Sequence, residues 1–232
     1  MSTALFDPPE LTPLTDICPG ARKSALCAGA TEQGSGQWFE LRMGIPTASE
    51  ISNVVTSRGE PCNGEARKTY MAGLVGERLT RTIDVDHSTP AMERGKALEP
   101  KARAWYELET GRDVREVGFV YQDKARRWGG SPDGLCGERG IEIKCPQRAQ
   151  MIKTLLAGDK IPAKYIGQVQ FLMFITGLSV WDFLVWTPEP QIPNRIWTVE
   201  ADAKLHAAYA EHLTPFCDDL ATMENHLRRL AA

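Results

Sequence analysis

At 232 residues and 42% hydrophobic content, the chain is large enough for one domain with a full core. No apolar run is long enough to cross a bilayer, and Met1–Glu10 carries neither a basic start nor an apolar signal core, so the expectation is a soluble cytoplasmic protein without membrane partners. A net charge of −3 argues against nucleic-acid binding by bulk electrostatics, and six cysteines without a C-x-x-C pair give no support to a zinc ribbon and read as reduced thiols.

Residues 1–36 are rich in Pro, Gly, Ser and Thr with weak periodicity, and predict an irregular or partly mobile arm; residues 37–232 predict a single domain. Thr47-Ala48-Ser49-Glu50 reads as a capping box opening a helix through about Thr56. A second helix runs from about Glu65 to Leu79, with Tyr70, Leu74 and Val75 inward. A loop with Asp84, Asp86 and His87 follows. The next helix covers roughly Met92 to Glu109, with Leu98, Ala102, Trp105 and Leu108 inward and Pro100 opening or bending its main body. Strands are predicted at Glu116–Tyr121, Arg127–Leu135 and Ile141–Cys145, then helices at Arg148–Ala157 and Lys164–Thr176. Two late strands, Val180–Trp186 and Arg195–Val199, precede a final helix over about Ala201–Leu230. This order describes an α/β domain with a central mixed sheet flanked by helices. Glu200 to Glu224 holds six acidic residues and one Lys, whereas Arg94 to Arg127 holds nine basic and six acidic residues. Nucleic acid would therefore meet the middle of the chain.

The most chemically loaded stretch is Gly130-Ser131-Pro132-Asp133-Gly134, followed by Gly140-Ile141-Glu142-Ile143-Lys144-Cys145. Alternation in a strand puts Glu142 and Lys144 on one face and the isoleucines on the other. If the isoleucines face a core, a carboxylate and an ammonium project together toward a cleft, which Asp133 reaches across a hairpin at Gly137–Gly140. Paired carboxylates suit hard divalent cations such as Mg²⁺, and a neighbouring lysine can orient water, which is equipment for phosphodiester hydrolysis.

Asp133…Glu142-Ile143-Lys144 resembles the core of the PD-(D/E)xK nuclease superfamily, whose restriction-endonuclease-like fold has a central mixed sheet. Trp38-Phe39-Glu40-Leu41-Arg42 through Glu50, Gly95-Lys96-Ala97-Leu98-Glu99 and Tyr165-Ile166-Gly167-Gln168-Val169-Gln170 resemble, in order, motifs of the phage lambda exonuclease (YqaJ-type viral recombinase) family. The resemblance implies a processive 5′→3′ exonuclease that degrades one strand of linear duplex DNA from 5′-phosphorylated ends. It implies mononucleotide products and a 3′ overhang passed to a single-strand annealing protein, with the enzyme as a ring-shaped homotrimer. It implies Mg²⁺, two ions per site with Mn²⁺ able to substitute, held by Asp133, Glu142, Glu99 and the Ile143 carbonyl. Lys144 would position the attacking water, and Gln168 would hold the site or the scissile strand. Ser131 would support the phosphate or the metal-site loop. Arg42 and Ser49 would grip the terminal phosphate, with Arg58 as a second positive group, and Met92 would be an apolar wedge parting the last base pair.

Structural readings stand beside each of these. Glu142 and Lys144 also suit the solvent face of an edge strand, Glu99 a surface position, Arg42 a salt bridge and Gln168 helix packing. The Asp84–His87 loop reads as a solvated turn, and Trp181, Trp186 and Trp197 as core. Competing functions are an endonuclease of the same superfamily and a catalytically inactive DNA-end-binding protein.

Overall fold

The computed structural model describes residues 10–29, 31–83 and 89–231, so the Asp84–Asp86–His87 loop lies outside the described residues. The elements are β1 (Thr12–Pro13), β2 (Leu26–Cys27), α1 (Gly36–Arg42), a 3₁₀ turn (Ala48–Asn53), α2 (Glu65–Thr80) and α3 (Pro90–Thr110). They continue as β3 (Val120–Tyr121), β4 (Gly129–Gly130), β5 (Gly134–Cys136), β6 (Arg139–Lys144), α4 (Arg148–Leu156) and α5 (Ala163–Thr176). The chain closes with β7 (Val180–Val185), β8 (Arg195–Glu200) and α6 (Ala203–Leu230). No helix is long and apolar enough to cross a membrane.

Two four-stranded sheets form, β1-β2-β3-β4 and β5-β6-β7-β8. The first is antiparallel throughout. The second is mixed, with an antiparallel β5–β6 hairpin, a parallel β6–β7 pair and an antiparallel β7–β8 pair. The parallel pair is covered on both faces, as parallel strands require. Ile141, Ile143, Leu184 and Trp186 pack with Ala102 and Tyr106 of α3, while Phe183 and Val185 join the main core with α5 and α6. α5 is apolar nearly all round because it is the buried helix of that layer. Trp181, Trp186 and Trp197 are core residues, and all six cysteines are free thiols.

Several local expectations change. The segment before Trp38 is irregular but pinned: Leu14, Cys18, Ala25 and Cys27 are buried, and β1 and β2 extend the first sheet. The capping box does not form, and the turn over Ala48–Asn53 is 3₁₀. Thr47 is held from outside, its N–H donating to Tyr70 Oη at 3.1 Å and its backbone bridging Gly129. Leu108 is exposed and Tyr106 points inward, because six residues of helix turn Leu108 about 240° away from Ala102. α3 runs through Pro100 without a break.

The expected Arg127–Leu135 strand splits at Ser131-Pro132-Asp133, so those three residues join one sheet to the other. Gly130 is required there: a Cβ would lie 2.7 Å from Leu172 Cδ2 and 3.1 Å from Ala48 Cβ. The chain's close approach at this joint places Asp133 beside β6.

Charge is also spent differently than the sequence suggests. On α6, Asp218 pairs with Arg127, Asp219 with Arg67 and Glu224 with Arg78, so much of its acidic face is committed within the chain. In the basic middle stretch, Arg94, Arg103, Arg112 and Arg127 bind backbone carbonyls or carboxylates of the chain itself.

Candidate active site

β5 stops pairing with β6 at Gly134–Ile141, which leaves the Ile143 N–H free on that edge. The Asp133 carboxylate takes it, with Oδ2 accepting at 2.7 Å. In a strand a residue's N–H and C=O point to the same side, so the Ile143 carbonyl shares this vacated edge with Asp133.

Glu142 lies under α5 and is 1% exposed, rather than projecting into an open cleft. The cause is the parallel neighbour: Glu142 sits opposite Phe183 and Lys144 opposite Val185, both on the core face. Glu142 Oε1 accepts from Lys144 Nζ at 2.5 Å and from Gln168 Nε2 at 2.6 Å. Its other oxygen, Oε2, is buried with no hydrogen-bond partner. Lys144 Nζ also lies 5.5 Å from the centre of the Tyr165 ring.

Glu99 arrives from α3 and accepts from Arg103 at 2.7 Å. Arg103 is nearly buried and binds three groups at once: Glu99, Glu116 at 2.6 Å and the Asp133 carbonyl at 3.3 Å. Arg94 donates to the Cys145 and Pro146 carbonyls and ties the same helix to the end of β6.

The electrostatics are those of crowded carboxylates. Burial, then the Asp133 charge, pushes Glu142 up to about 8. Burial and the same neighbour push Glu99 up to about 7, although Arg103 opposes the rise. Asp133 is raised by burial. Burial works against the Lys144 ammonium, but Glu142 and Asp133 overturn it and hold Lys144 above the usual lysine range. Among the described residues no three acidic, histidine or cysteine side chains close tightly on one point. The donors nevertheless fit a hard divalent cation: they are all oxygen, mutually repelling and include an unpartnered buried carboxylate oxygen.

A second group sits at the joint between the sheets. Arg42 stacks over Trp38 with its Cζ 4.5 Å from the ring centre, and donates weakly to Thr47 Oγ1 at 3.4 Å. Thr47 Oγ1 lies 3.4 Å from Ser49 Oγ. Trp38 Nε1 donates to Ser131 Oγ at 2.8 Å. Among the described residues Arg42 has no carboxylate partner, so the salt-bridge reading of this arginine finds no support.

The structure therefore brings Asp133, Glu142, Lys144, Gln168 and Glu99 into one electrostatic cluster, and Arg42, Ser49 and Ser131 into a second. Two other expected residues are exposed and share no hydrogen bond or ion pair with either cluster among the described residues. Arg58 is exposed and pairs with its neighbour Glu60 at 3.7 Å. Met92 is exposed in the first turn of α3. Sequence reasoning missed Arg103, Arg94 and the bridging role of Trp38. Only Arg103 left a legible signal, as the basic residue four positions after Glu99 on a helix.

The YqaJ-like viral recombinase domain matches residues 37–179. LHK-Exo, an alkaline exonuclease from Laribacter hongkongensis, superposes with a TM-score of 0.76 and 36% identity over 85% of this chain and 98% of that one. The same figures hold for LHK-Exo in complex with dAMP. A phage-related exonuclease from Haemophilus somnus 129PT, at 12% identity and a TM-score of 0.57 over 81% of this chain and 96% of that one, shares the fold. No curated protein matches significantly. With the matched domain spanning both side-chain clusters, the chain belongs to the YqaJ-like viral recombinase family, and its role is that of a nuclease.

Proposed function

We propose that this protein is a divalent-metal-dependent exonuclease that degrades one strand of linear duplex DNA in the 5′→3′ direction from 5′-phosphorylated ends. The observation that carries the chemistry is the Asp133–Glu142–Lys144–Gln168 cluster, with a buried carboxylate oxygen still lacking a partner.

Asp133, Glu142, Glu99 and the Ile143 carbonyl would hold Mg²⁺, two ions per site, with Mn²⁺ as a substitute. Bound there, the cation would supply Lewis-acid polarisation and offset charge building on the phosphate. Lys144 is kept protonated by its carboxylate neighbours and so serves as a donor that orients the attacking water. Gln168 keeps its amide on Glu142 Oε1, which restrains the carboxylate and leaves Oε2 without a protein partner. Arg42 retains most of its donors for an anion, and a guanidinium fork suits a terminal phosphate. Ser49, beside Thr47, and Ser131, held by Trp38, add hydroxyls. The bound dAMP in the LHK-Exo crystal supports release of mononucleotides.

The net charge of −3 suits a closed homotrimeric ring, which holds DNA topologically rather than by bulk attraction. Such an enzyme, working in the cytoplasm, leaves a 3′ overhang for a single-strand annealing protein. The test is digestion of linear duplexes labelled at either end, bearing 5′-phosphate or 5′-hydroxyl, with and without Mg²⁺, beside a covalently closed circle. Loss of label from the 5′ end first, only with metal and faster from phosphorylated ends, is the expected result. Efficient cutting of the circle would replace this reading with an endonuclease.

A further inference from the structure

Trp38 joins two members of the second cluster and reaches the loop that carries Asp133: its ring bears the Arg42 guanidinium, and its indole N–H reaches Ser131, two residues before Asp133. The ring is anchored at its base, where Ser35 caps α1 by accepting from the Trp38 N–H, and at its side by the edge of Phe39, 5.1 Å between ring centres. The backbones of the Arg42–Ser49 segment and of the strand leading to Ser131 are already joined by the Thr47–Gly129 bridge. The side-chain contact is therefore the adjustable part of a shared frame.

The polarity of the contact matters. An indole N–H only donates, whereas a serine hydroxyl has one donor and two acceptor positions. With the indole N–H on a lone pair of Ser131 Oγ, the hydroxyl proton is directed elsewhere, and among the described residues it has no acceptor. Arg42 is similarly unspent, with one long hydrogen bond at 3.4 Å and no ion pair among the described residues. Both ends of the Arg42–Trp38–Ser131 chain thus present free donors suited to phosphate oxygens.

We propose that Trp38 is a positioning residue that couples the 5′-phosphate at Arg42 to the Ser131–Asp133 loop, so that an occupied end pocket raises the rate of cleavage as well as the affinity. This rests on the end-recognition role proposed above. The guanidinium already lies on the indole, the indole already holds Ser131 with its hydroxyl proton free, and Asp133 already takes the Ile143 N–H; phosphate bridging Arg42 and Ser131 would lock this chain of contacts in place.

The test is Trp38→Phe, which retains an aromatic face for Arg42 and deletes the N–H. Steady-state digestion is measured on 5′-phosphate and 5′-hydroxyl ends, and binding of 5′-phosphate duplex is measured by anisotropy in EDTA. The expected result is a roughly tenfold fall in kcat on 5′-phosphate ends, with KM and Kd within about twofold of wild type, so that the phosphate-to-hydroxyl rate ratio falls. Ser131→Ala reports on the same contact without touching the indole. The double variant Trp38→Phe/Ser131→Ala should be no slower than Ser131→Ala alone, because both remove one interaction. An unchanged ratio in Trp38→Phe, a loss confined to KM, or two effects that multiply would each overturn the coupling. A wild-type enzyme with equal rates on the two ends would instead overturn the end-recognition role itself.

Discussion

Removing the Glu142 charge tests the electrostatics of the site without reference to turnover. In the folded protein Glu142 titrates at about 8 against an ordinary 4.5, because it is buried beside Asp133. The folded state therefore holds this proton more tightly than the unfolded chain does. The resulting stability is complete below about pH 4.5 and is lost as pH rises through about 8. At about 1.4 kcal/mol per tenfold change in proton affinity, the loss is capped at on the order of 5 kcal/mol. Sharing of protons with Asp133 and Glu99 makes about half of that the working figure. Urea unfolding in EDTA should show stability falling by roughly 2–3 kcal/mol between about pH 5.5 and about pH 8.5. Glu142→Gln, which keeps the shape and abolishes the proton, should flatten that fall. Magnesium at roughly a hundredfold excess over its Kd should restore about 2.7 kcal/mol to the wild type at the alkaline end. A metal-free wild type whose stability is level or rises over this range would refute the crowded-carboxylate account.

Three further outcomes follow from other contacts. Lys144→Ala should lower Mg²⁺-dependent nucleotide release by roughly 10²–10³-fold, with duplex binding retained; unchanged release removes Lys144 from the chemistry. Arg103→Met should cost roughly 3–5 kcal/mol in unfolding free energy and weaken Mn²⁺ affinity measured by calorimetry, since it strands Glu99 and frees the Asp133 carbonyl; a Tm and affinity equal to wild type would show the triple contact to be idle. Gly130→Ala should destabilise by about 1–3 kcal/mol through its clash with Leu172 and Ala48, read as a drop in urea midpoint at constant m-value.

Much of the Asp133–Glu142–Lys144 cluster was legible because its information is local. Alternation in Ile141–Lys144 assigns faces within the strand, and an Asp followed by a hairpin assigns proximity. What alternation does not carry is which face is wet. Glu142 was expected toward a cleft, yet β7 covers one edge of its strand and α5 its face, so the carboxylate is buried and its oxygens are allotted to Lys144 and Gln168. The Thr47–Glu50 capping signal failed for a related reason. A capping box assumes the helix terminus must satisfy itself, whereas here Tyr70 and the bridge to Gly129 hold Thr47 from other elements. Charge runs carried less than their composition suggests: Asp218 and Asp219 do lie on the surface, but they and several arginines of the basic middle stretch are paired within the chain.

The sequence by itself determined the order of the main helices and late strands, the oxygen-donor residue types suited to a hard cation, and the motifs that mark the family, since each depends on spacing along the chain. The tertiary structure decided that Glu142 is buried, that Arg103 ties two acidic segments together, and that Trp38 links the arginine pocket to the Asp133 loop. Those relations join residues tens of positions apart, and only packing brings such groups within the few ångströms over which hydrogen bonds and desolvation act.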